Sequence, residues 1–163
     1  MLSSSDQQSL SAELEALLAV SGSANSGLQR ALEFVLDHFA CTSGTIHSLN
    51  PQSQMLQLRA KTNIPDGLLP RIEQIPVGKG MAGLAVERCE PVQVCNLQTD
   101  KSGVAKPGAK QTGMKGSIAL PILADNQVIG VLGVAKPSEY EYSIEEIAML
   151  TNLGEVIGRF MSR

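Results

Sequence analysis

Pro76-Val77-Gly78-Lys79-Gly80-Met81-Ala82-Gly83-Leu84-Ala85-Val86, continued by Glu87-Arg88-Cys89-Glu90-Pro91-Val92-Gln93-Val94, is the stretch on which the fold of this chain turns. Glycine reaches backbone conformations closed to other residues and lets main chain approach main chain. Gly78, Gly80 and Gly83 therefore read as a tight turn feeding a short helix, and Pro91 to Val94 as a brief strand. Backbone N–H groups at such a turn, with Lys79 beside them, could receive an anion. The spacing G-x-G-x-x-G is present, but a dinucleotide fold needs a parallel strand before it and an acidic residue beyond it. That context is missing. The plainer reading is a structural turn that allows close helix–sheet packing.

Outward from the turn, the order of elements excludes a doubly wound sheet. Ser5 to Val20 places Leu10, Leu14, Leu17 and Leu18 at helical spacing. Ser26 with Gln29 has the form of a capping box, and the helix it starts carries Leu28, Leu32, Val35, Leu36 and Phe39 on one face. Gly44 to Leu49 and Met55 to Thr62 read as strands joined by a turn at Asn50-Pro51. In the second strand the alternation predicts Leu56, Leu58 and Ala60 on one side and Gln57, Arg59 and Lys61 on the other. Pro65, Gly67 and Pro70 limit any helix between Ile64 and Glu73 to a short or broken one. Gln98 to Gly116 is a long loop rich in Gly and Lys. Ser117 to Leu123 and Val128 to Ala135 form a hairpin across Ala124-Asp125-Asn126-Gln127. Ser143 and Glu146 start a last helix whose apolar stripe runs Ile144, Ile147, Leu150, Leu153, Ile157, Phe160, Met161. Hairpins mean antiparallel pairing, so the fold class is α+β, with helices packed on a sheet.

Composition narrows the function classes. The 163 residues suit one domain, 1–163, with a core over about 14–161 and residues 1–13 as a helix start or flexible lead. A formal charge of −3 and an aromatic share of 3 % with no Trp argue against a nucleic-acid partner. Three cysteines make no disulfide framework and fit a reducing compartment. The N-terminus has no basic segment leading into an apolar run, so no signal peptide is expected, and Asp125, Asn126 and Gln127 interrupt the longest apolar region. The expectation is a cytoplasmic protein with no membrane partner.

The turn Pro76 to Gly83 followed by Glu90-Pro91-Val92, then Pro121-Ile122, Val128 to Leu132 and Tyr142 to Leu150, resembles the signature of GAF domains. The early helix reaching Phe39 and the strand Thr45 to Leu49 agree with it, so the resemblance spans roughly Leu14 to Met161. It implies a central antiparallel sheet of about six strands, terminal helices on one face, and short helices and loops over a pocket on the other. It also implies a sensory or dimerising module of signal transduction that binds a small molecule, or no ligand at all. An output domain would follow if the chain is part of a longer protein, and Arg163 at the end of a helix suits a helix that continues.

The ligand-binding residues expected from this are Gly80, Met81, Leu84, Asn96, Lys101, Lys115 and Ser117, with Lys106 and Lys110 in the same loop. The surplus apolar stripes predict a homodimer through Leu10, Leu14, Leu17, Leu153 and Ile157. No cofactor and no metal are predicted. The cyclic-nucleotide signature of the family cannot be traced, no histidine follows a cysteine as bilin attachment prefers, and His38 and His47 have no context as haem ligands. One GAF family reduces free methionine sulfoxide with cysteines near the glycine turn and in the loop after the short middle strand. Here Met81 and Ala82 stand at the turn, no cysteine falls between Asn96 and Ser117, and Cys89 and Cys95 stand elsewhere. With no Gly-x-Ser-x-Gly elbow either, no catalytic residue is assigned. The alternatives are a ligand-free protein–protein module and a thiol-dependent reductase.

Overall fold

A computed structural model describes residues 3–163; Met1 and Leu2 of the expected domain lie outside the described residues. The chain runs α1 (Ser4–Ala19), α2 (Ala24–His38), β1 (Ser43–Asn50), β2 (Met55–Thr62), a single turn (Asp66–Leu68) leading into α3 (Leu69–Ile72), β3 (Gln74–Pro76), α4 (Gly80–Arg88), β4 (Val92–Val94), α5 (Pro107–Lys110), β5 (Gly116–Ala124), β6 (Gln127–Lys136) and α6 (Ile144–Met161). The six strands form one sheet in the order β3-β2-β1-β6-β5-β4. Every neighbouring pair is antiparallel.

The sheet separates two unequal cores. On one face α1, α2 and α6 bury Leu14, Leu18, Leu28, Leu32, Val35, Leu150, Leu153 and Ile157 against Ile46, Ile118, Leu120, Ile122 and Leu132. On the other, α4 packs Ala85 and Val86 on Leu56, Val92, Ala119 and Val131. Burial of apolar side chains contributes about 1.5–3 kcal/mol each for Val and Leu, so the three-helix face carries most of the stability. No described helix is long and apolar enough to cross a membrane.

Local chemistry explains the element ends. Ser3, Ser23 and Ser143 cap α1, α2 and α6, each bonding the backbone N–H three residues on. Ser23 starts α2 one turn earlier than Ser26 would, and Ser26 serves as its reciprocal partner. Gln29, freed from capping, instead donates to the Lys61 carbonyl at 2.9 Å and accepts from the Lys61 N–H at 3.2 Å, tying α2 to β2. In the last hairpin Asp125 and Asn126 take φ of 50° and 62°, the left-handed pair that a two-residue hairpin loop requires.

Three expectations on side-chain faces are corrected. β2 pairs Ala60 with Ile46 but Leu58 with His47, leaving Arg59 as an extra residue. This bulge turns the strand over, because one extra residue reverses the alternation. Leu56 thus joins the α4 core, while Ala60 joins the three-helix core. Ile144, expected in the α6 stripe, is 85 % exposed because it lies in the first turn, beyond the sheet edge. Leu14, Leu153 and Ile157, expected at a dimer interface, are sealed inside a single chain at 0–1 % exposure. Their stripe is consumed by α1, α2 and α6 packing on one another and on the sheet, so no apolar surplus remains at these positions.

Candidate ligand site

Opposite the three helices lies a cavity of about 470 Å3. That is within the range of small-molecule sites, roughly 300–1,000 Å3. Its floor is three neighbouring strands whose cavity-side residues are small. Ser43, Ala135 and Ser117 form one row across β1, β6 and β5, and Thr45, Gly133 and Ala119 the next. A Cβ built on Gly133 would meet only Thr45 Oγ1, at 3.4 Å. Packing would therefore tolerate a side chain there, and the glycine leaves the floor open.

The roof comes from α3, the start of α4 and the loop around α5. Leu68, Arg71, Ile72, Lys79 to Ala82, Ala105 to Ala109, Thr112 and Met114 line it. Its pieces touch: Gly80 lies 3.7 Å, counted from a Cβ position, from the Lys106 stem, and Gly108 the same distance from Arg71. Gln98 fastens the loop by donating to the carbonyls of Lys110 at 3.0 Å and Met114 at 2.8 Å. The glycine turn is built as the sequence suggested. Gly78 and Gly80 take φ of 88° and 66°, and the Gly78 N–H donates to the Gly83 carbonyl at 2.8 Å. A side chain at Gly83 would press on the Pro76 carbonyl at 2.5 Å, which only glycine avoids.

The cavity's electrostatics are one-sided. Arg71, Lys79 and Lys106 line it, and no aspartate or glutamate does. None of these cations is in an ion pair among the described residues. The N-terminus of α4 has no side-chain cap, and its first residues Gly80, Met81 and Ala82 line the cavity. First-turn N–H groups carry the positive end of the helix dipole.

One polar side chain on the floor is sealed. His47 is 1 % exposed and lines the cavity from β1, beside Thr45. Its Nε2 lies 2.8 Å from the Ile72 carbonyl oxygen, which can only accept, so Nε2 carries the proton and donates. Burial holds the imidazole pKa below its ordinary 6.5, against the opposing pull of that bond. The neutral ring therefore presents Nδ1 as a bare acceptor, and Nδ1 has no partner among the described residues.

Of the expected ligand residues, the structure brings Gly80, Met81 and Ser117 to the cavity. Leu84 packs instead on the α4 core, and the Asn96 side chain accepts from the Gln98 N–H at 3.0 Å. Lys101 and Lys115 point to solvent. Sequence reasoning missed His47, Thr45 and Arg71. A polar Ser43-Thr45-His47 face on a strand whose other face holds Ile46 was the available signal. The cysteines stand apart. Cys41 is buried 3.6 Å from the Tyr142 hydroxyl in the three-helix core, Cys89 and Cys95 are exposed, and no cysteine lines the cavity.

A family model described as GAF domain matches residues 23–162, nearly all of this architecture. The chain belongs to the GAF domain family. Among solved structures, the GAF domain of an Acinetobacter phosphoenolpyruvate-protein phosphotransferase superposes with a TM-score of 0.80 at 18 % identity, over 99 % of this chain and 95 % of that one. The free methionine-R-sulfoxide reductase of Neisseria meningitidis, in complex with its substrate, gives 0.77 at 15 % identity over 99 % and 93 %. The reduced reductase of Staphylococcus aureus gives 0.73 at 20 % over 96 % and 95 %. At these identities the likeness is one of fold. No curated protein matches the chain. In this GAF domain Ala82 sits in the cavity wall.

Proposed function

We propose that this GAF domain is a non-catalytic sensory module of signal transduction whose cavity holds a small organic anion. The observation that carries the reading is the charge pattern: Arg71, Lys79, Lys106 and the uncapped start of α4 line a cavity that has no carboxylate. Such a site costs energy to leave empty of negative charge and recovers it when an anion enters. The mostly apolar remainder, with Leu68, Ile72, Ile75, Leu97 and Met114, would receive a hydrocarbon body. Homodimerisation belongs to this proposal only at Leu10 and Leu17, which keep part of their surface in solvent.

Titration calorimetry of the full chain with hexanoate at pH 7.5 tests the reading, beside native mass spectrometry for any retained small molecule. Gly133→Val puts a branched side chain on the cavity floor, where a strand accepts it. Affinity is expected to fall about tenfold, ~1.4 kcal/mol, with the melting temperature little changed. Equal affinity in the variant would place the anion elsewhere and sink the proposal.

The reductase alternative has the fold of two relatives behind it. Against it stands the position of all three thiols away from the cavity. Turnover of free methionine sulfoxide that disappears in a Cys89→Ser/Cys95→Ser double variant would replace sensing with catalysis.

A further inference from the structure

The cations of the cavity explain attraction for an anion but not the buried imidazole beneath them. Histidine stands on a floor otherwise made of Ser, Thr, Gly and Ala. An unsatisfied buried acceptor costs the protein on the order of 1–3 kcal/mol. The Nε2–H bond to Ile72 joins β1 to the roof and fixes the tautomer, so the uncompensated atom is always Nδ1.

We infer that His47 Nδ1 is the acceptor for a neutral hydrogen-bond donor on the ligand, so that the cavity selects hydroxylated carboxylates over their unsubstituted and amino counterparts. The inference rests on the reading of the cavity as an anion site and adds its specificity. Neutrality of the donor follows from the other groups facing the cavity. Arg71, Lys79 and Lys106 would repel an ammonium, and no aspartate or glutamate is there to pair with it. A hydroxyl meets the imidazole without that penalty. Ser43, Thr45 and Ser117, in the same floor, can exchange hydrogen bonds with the hydroxyl oxygen. The carboxylate is left for the cations and the first turn of α4, and the apolar wall takes the carbon chain. A site that holds a polar partner in this way discriminates strongly, because the analogue lacking the group leaves the protein atom bare.

Three probes of one carbon skeleton separate the parts: 4-methylpentanoate, 2-hydroxy-4-methylpentanoate and leucine, titrated calorimetrically into the full chain at pH 7.5. The hydroxy acid is expected to bind about tenfold more tightly than 4-methylpentanoate, with leucine weakest. In His47→Phe, which keeps a ring but removes both nitrogens, the two acids should bind alike. The wild-type comparison stands even if that variant does not fold. Equal binding of the two acids to wild type would overturn the role of His47 while leaving the anion site intact. Tighter binding of leucine would overturn the neutral donor. Failure of all three carboxylates to bind would remove both the inference and the anion reading beneath it.

Discussion

His47 shows how much a single residue in this fold does at once. Burial disfavours charge on its ring in the folded state and holds the pKa down, whereas in the unfolded chain it titrates near its ordinary 6.5. Between those two values the unfolded state binds more protons, so stability rises with pH there. The contribution is complete above about pH 6.5 and is lost as the pH falls through the lower folded value. Urea unfolding of wild type and His47→Phe at pH 7.5, 6.5 and 5.5 reads this directly. The wild type should lose ground against the variant on acidification; a constant difference would mean that the imidazole protonates equally in both states. The residue was visible in the sequence only as one of two histidines, because a strand read in isolation does not reveal which face meets a roof. That Gly80, Met81 and Ser117 line the cavity was legible because they adjoin the glycine turn and the hairpin. That Lys101 and Lys115 lie exposed outside the cavity lining was not legible, because a loop of 19 residues, Gln98 to Gly116, has no periodicity from which side-chain direction follows.

At the scale of elements, the hairpins, the capped helices and the glycine turn were legible because each rests on chemistry within a few residues. What escaped depends on partners far along the chain. The Arg59 bulge is one case, since nothing near it in sequence forces an extra residue, whereas Arg59 reaches Asn25 of α2 at 3.2 Å. The roof loop is the other. Its order comes from Gln98, which spans 12 and 16 residues to hold Lys110 and Met114, and from Thr112, whose hydroxyl donates to the Ala109 carbonyl at 2.7 Å. Gln98→Ala removes both clamps without touching the cavity. It is expected to cost about 1–3 kcal/mol of global stability, at roughly 0.5–1.5 kcal/mol for each of the two hydrogen bonds. The larger effect should be a weaker ligand complex through faster release, because an unfastened roof must be ordered on binding. Stopped-flow dissociation of 2-hydroxy-4-methylpentanoate measures it; an unchanged off-rate would show that Gln98 does not govern the roof.

The whole molecule divides its labour across the sheet. One face is locked by three helices whose apolar stripes are consumed internally, and by Arg159 to Glu15 at 2.8 Å and Asn152 to Gln7 at 3.4 Å between α6 and α1. The other carries only α4 and helical pieces of three or four residues over a cavity, so its stabilising contacts are few. Local opening free energies follow buried apolar contact, and ligand sites are drawn from the low end of that range. Amide hydrogen exchange should therefore split the chain. β1, β5, β6 and α6 are expected to exchange at the rate of global unfolding, and residues 66–72 and 98–115 orders of magnitude faster. A bound anion touches the floor of β1 and β5 as well as the roof, but only the roof opens locally, so it should slow exchange there first and most strongly. It should raise global stability only by the mass-action amount, about 2.7 kcal/mol at a hundredfold excess over Kd. Uniform slowing across both faces would mean instead that the roof and the three-helix layer unfold as one unit. In that case occupancy of the cavity could reach α1 and α6, the helices through which a sensory module would have to report.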